Sequence, residues 1–199
     1  MHKLGLLPFV KKVQFNRGYS RNYWVVPAIF DSRSMRYFRA LVNLQDLSIA
    51  FLDFSSFPTG VGKFFGHFSP TLRSLALAIP LGSRRQLLDF FRLFPKLDNI
   101  TICGYYRNGE GHEALDENLI PIQGGLRGQL NLKNFRDEWL LKDMIAVFGG
   151  MRFTSMRLES VHGVPLLLEA CASTLQTVYI HPGGLFRPCK TIPVTRVHS

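Results

Sequence analysis

A chain of 199 residues can fold as one domain with a sizeable core, and 46% hydrophobic against 19% charged residues excludes a disordered chain. The net charge of +10 suits an acidic protein partner or nucleic acid, or a merely solvated surface. No apolar run approaches the ~18 residues of a membrane span, and three isolated cysteines, Cys103, Cys171 and Cys189, form no disulfide framework, so the expected setting is intracellular, in cytoplasm or nucleus.

Leu4–Val10 is too short for a signal peptide, contains Pro8 and is followed by Lys11-Lys12. It leads into a first alternating stretch, Phe9…Val13-x-Phe15. Basic residues crowd this end, from Lys3 to Arg39, and an aromatic, basic connection covers Arg17–Asp31. The alternation returns as Leu44-x-x-Leu47-x-Ile49, and Val61, Phe64, Phe65 and Phe68 then follow at helical spacing. Gly60-x-Gly62-Lys63 lacks the spacing and hydroxyl residue of a phosphate loop.

Leu72-x-x-Leu75-x-Leu77 is the third copy, followed by a capping box, Ser83-x-x-Gln86, and an apolar helical run from Leu87 to Phe94. Leu97-x-x-Ile100-x-Ile102 is the fourth; its Asn99-Ile100-Thr101 matches a glycosylation sequon by chance. The long connection Cys103–Gly125 carries Tyr105, Tyr106 and an acidic cluster with Glu110, Glu113, Asp116 and Glu117. A looser fifth copy, Leu126…Leu130-x-Leu132, precedes Asp137 and Glu138, which suit a helix start, and the stripe Leu140, Leu141, Met144, Ile145 and Phe148. Phe153-x-x-Met156-x-Leu158 is the sixth copy, Val164, Leu167, Leu168 and Cys171 the next helical stripe with Pro165 in its first turn, and Leu175-x-x-Val178-x-Ile180 the seventh copy.

Period-two alternation asks for a half-buried strand, and between copies the period changes to helical in four stripes, three of them closed by Pro70, Pro95 or Gly149-Gly150. One strand and one helix cannot bury their apolar faces alone; stacked copies can. The expected fold is therefore α/β, a leucine-rich-repeat solenoid of about seven irregular repeats with parallel strands on the concave side and helices on the convex side. It spans residues 1–182, with 183–199 a flexible basic tail. A doubly wound sheet is disfavoured because its strands are long runs buried on both faces, and no strand-to-helix turn carries a phosphate-binding glycine fingerprint.

The rhythm of helix, Phe/Leu-Pro or Ser-Pro, then Leu-x-x-Leu-x-Leu, seen in "LFPKLDNITICGY" and "HFSPTLRSLALAIP", resembles the leucine-rich-repeat region of fungal F-box-like proteins, particularly the divergent ones of mushroom-forming fungi. The resemblance covers roughly Leu4 to Pro182. It implies repeats that recognise a substrate, while an N-terminal F-box module, which this chain is expected to lack, binds the Skp adaptor of a cullin–RING ubiquitin ligase.

On the strands, residues alternating with the core face the concave side, where such stacks bind. The candidates there are Asn99, Thr101, Gln129, Asn131, Lys133, Arg157, Glu159, Tyr179 and His181; the loop candidates are Tyr105, Tyr106, Glu110 and Glu113. Arg157, Tyr179 and His181 lead, because Arg and Tyr dominate interface energetics. His112-Glu113-x-x-Asp116 lacks a third metal ligand, and no Ser/His/Asp or Cys/His set converges on neighbouring strands. Nothing near Cys103 is expected to lower its pKa. The expected function is a non-enzymatic protein-interaction scaffold without cofactor or metal, on the resemblance the substrate-reading part of an F-box-type adaptor. The alternative is a basic solenoid binding nucleic acid or another polyanion.

Overall fold

A computed structural model describes residues 4–15, 38–50, 61–78, 81–82, 84–104, 106–107, 126–181 and 192–193. A 3-10 helix, Leu4–Phe9, leads into β1 (Lys12–Phe15), and β2 (Asp46–Ala50), α1 (Val61–Gly66) and β3 (Ser74–Ala78) follow. Next come β4 (Leu81–Gly82), α2 (Arg84–Arg92), β5 (Asn99–Cys103), β6 (Tyr106–Arg107) and β7 (Leu126–Lys133). The chain continues through α3 (Glu138–Val147), β8 (Met151–Glu159), α4 (Val164–Ala170), β9 (Thr177–His181) and β10 (Ile192–Pro193).

The main sheet runs β1-β2-β3-β5-β7-β8-β9-β10. Its first seven strands are parallel and lie in chain order, and β10 returns antiparallel on β9. The middle apolar residue of every repeat copy meets that of the next: Val13↔Leu47, Leu47↔Leu75, Leu75↔Ile100, Ile100↔Leu130, Leu130↔Met156 and Met156↔Val178. The same register resumes in a two-stranded ribbon, where Leu81 and Gly82 pair in parallel with Tyr106 and Arg107.

Burial explains the one-sided layering. In β2, β3 and β5 the residues alternate between buried and half-buried. Leu47, Ile49, Leu75, Leu77, Ile100, Ile102, Leu130 and Leu132 share one cluster with the inward residues of the helices, so the helices cover that face; among the described residues none of the helices covers the other. A doubly wound sheet would bury both. Each fully buried Leu or Phe contributes about 1.5–3 kcal/mol of transfer free energy. Successive helices are joined by edge-to-face Phe pairs: Phe65 of α1 to Phe90 of α2 at 5.1 Å, and Phe91 of α2 to Phe148, just after α3, at 6.3 Å. Arg84 of α2 donates to the Asp143 carboxylate of α3 at 2.8 Å, both side chains being largely buried. Burial, joined by the nearby Asp137 carboxylate, raises the Asp143 carboxyl despite the lowering charge and hydrogen bond of Arg84.

Backbone hydrogen bonds repeat from copy to copy where the strands start. The Lys11 carbonyl accepts from Gln45 and Asp46, that of Gln45 from Arg73 and Ser74, and that of Arg73 from Asp98 and Asn99. At the other end of the strands, left-handed Gly104, Asn134 and Ser160 donate to the carbonyls of Lys133, Glu159 and His181. These contacts turn the chain out of each strand while satisfying the exposed end of the ladder.

Particular expectations fared differently. The Asp137 carboxylate accepts from Leu140 N at 2.9 Å and caps α3, and Pro165 lies in the first turn of α4. Phe9, aligned as an inward residue, is 77% exposed. It lies four residues before Val13 rather than three, and Val10, at the spacing of the other copies, packs against the core instead. Of the segment 183–199, expected to be a flexible tail, only β10 is described, with Ile192 opposite Val178 and Pro193 opposite Thr177; the rest lies outside the described residues. Ser83 and the connection Arg17–Asp31 lie outside the described residues. No helix among the described residues is long and apolar enough to cross a membrane.

Candidate functional site

The strand register arranges the open-face side chains in rows across the sheet. One row is Lys12–Asp46–Ser74–Asn99–Gln129–Ser155–Thr177, and the next Gln14–Ser48–Ala76–Thr101–Asn131–Arg157–Tyr179. The third is Ala50–Ala78–Cys103–Lys133–Glu159–His181. All nine strand candidates therefore lie on one surface, carried by β5, β7, β8 and β9. Over β2, β3 and β5 the rows are mostly Ser, Ala, Thr and Cys, which keeps that part shallow; over β8 and β9 the long side chains of Arg157 and Tyr179 project.

Cross-strand contacts lock part of this surface. Asn131 donates to the Thr101 hydroxyl at 3.3 Å, and Lys133 pairs with Glu159 at 3.3 Å. Tyr179 is 44% exposed beside Arg157. His181 stands opposite Glu159, half-buried, with its Nδ1 shielded and unbonded. Contrary to expectation, a group that lowers the Cys103 pKa is present: Lys133, its register partner, acts in that direction. Burial outweighs it, and Glu159 adds to burial, so the thiol is raised and is not an activated nucleophile.

The sequence pattern missed two residues of this face. Strand β7 begins at Leu126, so Arg127 faces outward ahead of Gln129, and it pairs with Asp98 at 3.2 Å. Strand β8 begins at Met151, and its pairing with β7 slips by one residue: Gly128 is opposite Phe153, but Gln129 is opposite Ser155. Thr154 is the extra residue of this bulge, and its hydroxyl donates to the Gly128 carbonyl at 3.1 Å. Five positions separate Arg152 from Arg157, an odd spacing that in a regular strand puts them on opposite faces. The bulge restores Arg152 to the open face, paired in register with Arg127. The alternation Met151-x-Phe153 ahead of the break was the available signal.

Gly128 makes the bulge sterically possible. Its φ is +85°, and a Cβ there would overlap the Asp98 carbonyl. That carbonyl accepts from Gln129 N at 2.7 Å.

Of the loop candidates, Tyr105, Glu110 and Glu113 lie outside the described residues, and Tyr106 belongs to β6, in the two-stranded ribbon with β4. Among the described residues no three His, Cys, Asp or Glu side chains gather as a metal site. No protein-family model, curated protein or solved structure matches the chain.

Proposed function

We propose that the chain is a non-enzymatic protein-interaction scaffold, a leucine-rich-repeat solenoid that docks a partner on its open sheet face. The observation that carries this reading is the side-by-side pairing of seven parallel strands in chain order, which lines up three rows of open-face side chains in a surface too continuous to be needed for packing. Rigid strands hold the side chains of such a face in place before binding, which lowers the ordering cost of association. A photo-crosslinking residue introduced at Thr101 or Asn131 and expressed in cells tests the reading. It should trap a discrete protein that the same group at Arg85 or Lys142, on the helices, does not. Equal trapping on both sides, or none on the open face, would overturn it.

The sequence rhythm supports a narrower reading, the substrate-reading part of an F-box-type ubiquitin-ligase adaptor. It calls for a Skp–cullin complex among the proteins that copurify with the tagged chain. A second reading, binding of nucleic acid or another polyanion, is favoured by the net charge of +10 and by Arg152 and Arg157 on one face. It predicts an affinity for polyanions that falls steeply with salt.

A further inference from the structure

Charge on the open face is unevenly compensated. Over β7, β8 and β9, Arg127 is held by Asp98, and Lys133 is held by Glu159. Arg152 and Arg157 are exposed and have no acidic partner among the described residues. Both project from β8 only because of the bulge at Thr154. We infer that the β8–β9 end of this face binds an extended acidic segment of a partner protein, whose carboxylates are taken by Arg152 and Arg157 and whose apolar side chain rests on Tyr179.

The geometry sets the spacing of that segment. At ~3.3 Å per residue, less the residue absorbed by the bulge, the two arginines are about 13–16 Å apart along the strand. Two carboxylates four residues apart on an extended peptide match that distance. Guanidinium groups bind carboxylates through paired donors, so both arginines favour planar acids over a diffuse negative surface. Tyr179, next to Arg157 in register, adds an aromatic anchor beside one of the two charges. A peptide is favoured over single-stranded nucleic acid because Tyr179 is the one Phe, Tyr or Trp side chain in the rows of this face among the described residues, whereas base stacking needs a series of aromatic rings.

This inference rests on the docking reading above and is tested separately from it. The probe is a Gly/Ser-rich peptide of about twelve residues carrying two Glu four apart and Leu two residues after the second, on the same face of the extended chain, titrated by NMR into the isotope-labelled full chain at low salt. Shifts should concentrate on β8 and β9. Arg152→Glu and Arg157→Glu should each weaken binding about tenfold, while Arg85→Glu on α2, the same change of net charge, should alter it less than about twofold. Replacing both Glu of the peptide by Gln should abolish the shifts. No shifts up to about 1 mM peptide, shifts elsewhere on the chain, or tighter binding of an oligothymidylate of matched length would overturn the inference. Should the peptide fail while open-face crosslinks to a protein persist, the docking reading stands and the acidic segment does not.

Discussion

Replacing Gly128 by Ala tests whether the β7–β8 bulge is held by this one residue. The substitution meets two costs. An L-residue at φ +85° is strained by about 1–3 kcal/mol. The new methyl also collides with the Asp98 carbonyl, which must move away from Gln129 N and lose a bond of about 0.5–1.5 kcal/mol. Together the loss should be about 2–4 kcal/mol, read from urea unfolding followed by circular dichroism, with unchanged m-values as the check that the transition is comparable. Two companion variants separate the terms. Gly150, at φ +101° with no atom within 4 Å of an added Cβ, should show strain alone, about 1–3 kcal/mol. Gly62, exposed in α1 with the same open space and no positive φ, should gain up to about 1 kcal/mol as Ala. A Gly128→Ala loss under about 1 kcal/mol, or one no larger than that of Gly150→Ala, would refute the steric account of the bulge.

Arg84→Met and Asp143→Leu should each cost about 2–4 kcal/mol, because the partner left behind is a poorly solvated charge, and the double variant should recover most of it in a thermodynamic cycle. The folded-state pKa of Asp143 is raised, so the stability of the wild type relative to Asp143→Asn is greatest below the ordinary carboxylate range. It should then decline as pH rises through the folded value, as paired urea titrations across acidic pH will show. Leu130→Ala should cost about 2–5 kcal/mol, against under about 0.5 for Tyr179→Ala, measured by the same unfolding assay. Alkylation of Cys103 should accelerate only above the ordinary thiol range. Lys133→Met should move that onset higher still, since it removes the lowering charge and releases Glu159 from its partner, which mass spectrometry of labelled peptides can follow.

The rungs were legible because burial imposes period two on every strand that has one covered face, and Leu47, Leu75, Ile100, Leu130 and Met156 keep that period in register. Their order was legible for a related reason: each helical stripe between two copies needs the adjacent strands as its floor. Arg152 was missed because the apolar break between Phe153 and Met156 looks like the end of a strand. In β8 it is a bulge inside one, and only the pairing with Gly128 shows which. Phe9 misled because its hydrophobicity was matched to the pattern at the wrong spacing. The partner leaves little trace in the chain, since Thr101, Asn131 and Arg157 answer to whatever binds them and not to the packing that fixes Ile100, Leu130 and Met156.

The distance along the chain from one rung's central residue to the next varies widely, from Val13 to Leu47 and from Met156 to Val178, yet each arrives opposite its neighbour. Excursions between rungs are thus uncoupled from alignment of the rows. A loop can be lengthened, shortened or exchanged beside an intact surface, so this architecture can acquire new lateral contacts by insertion while the chemistry of its central face is conserved or altered independently.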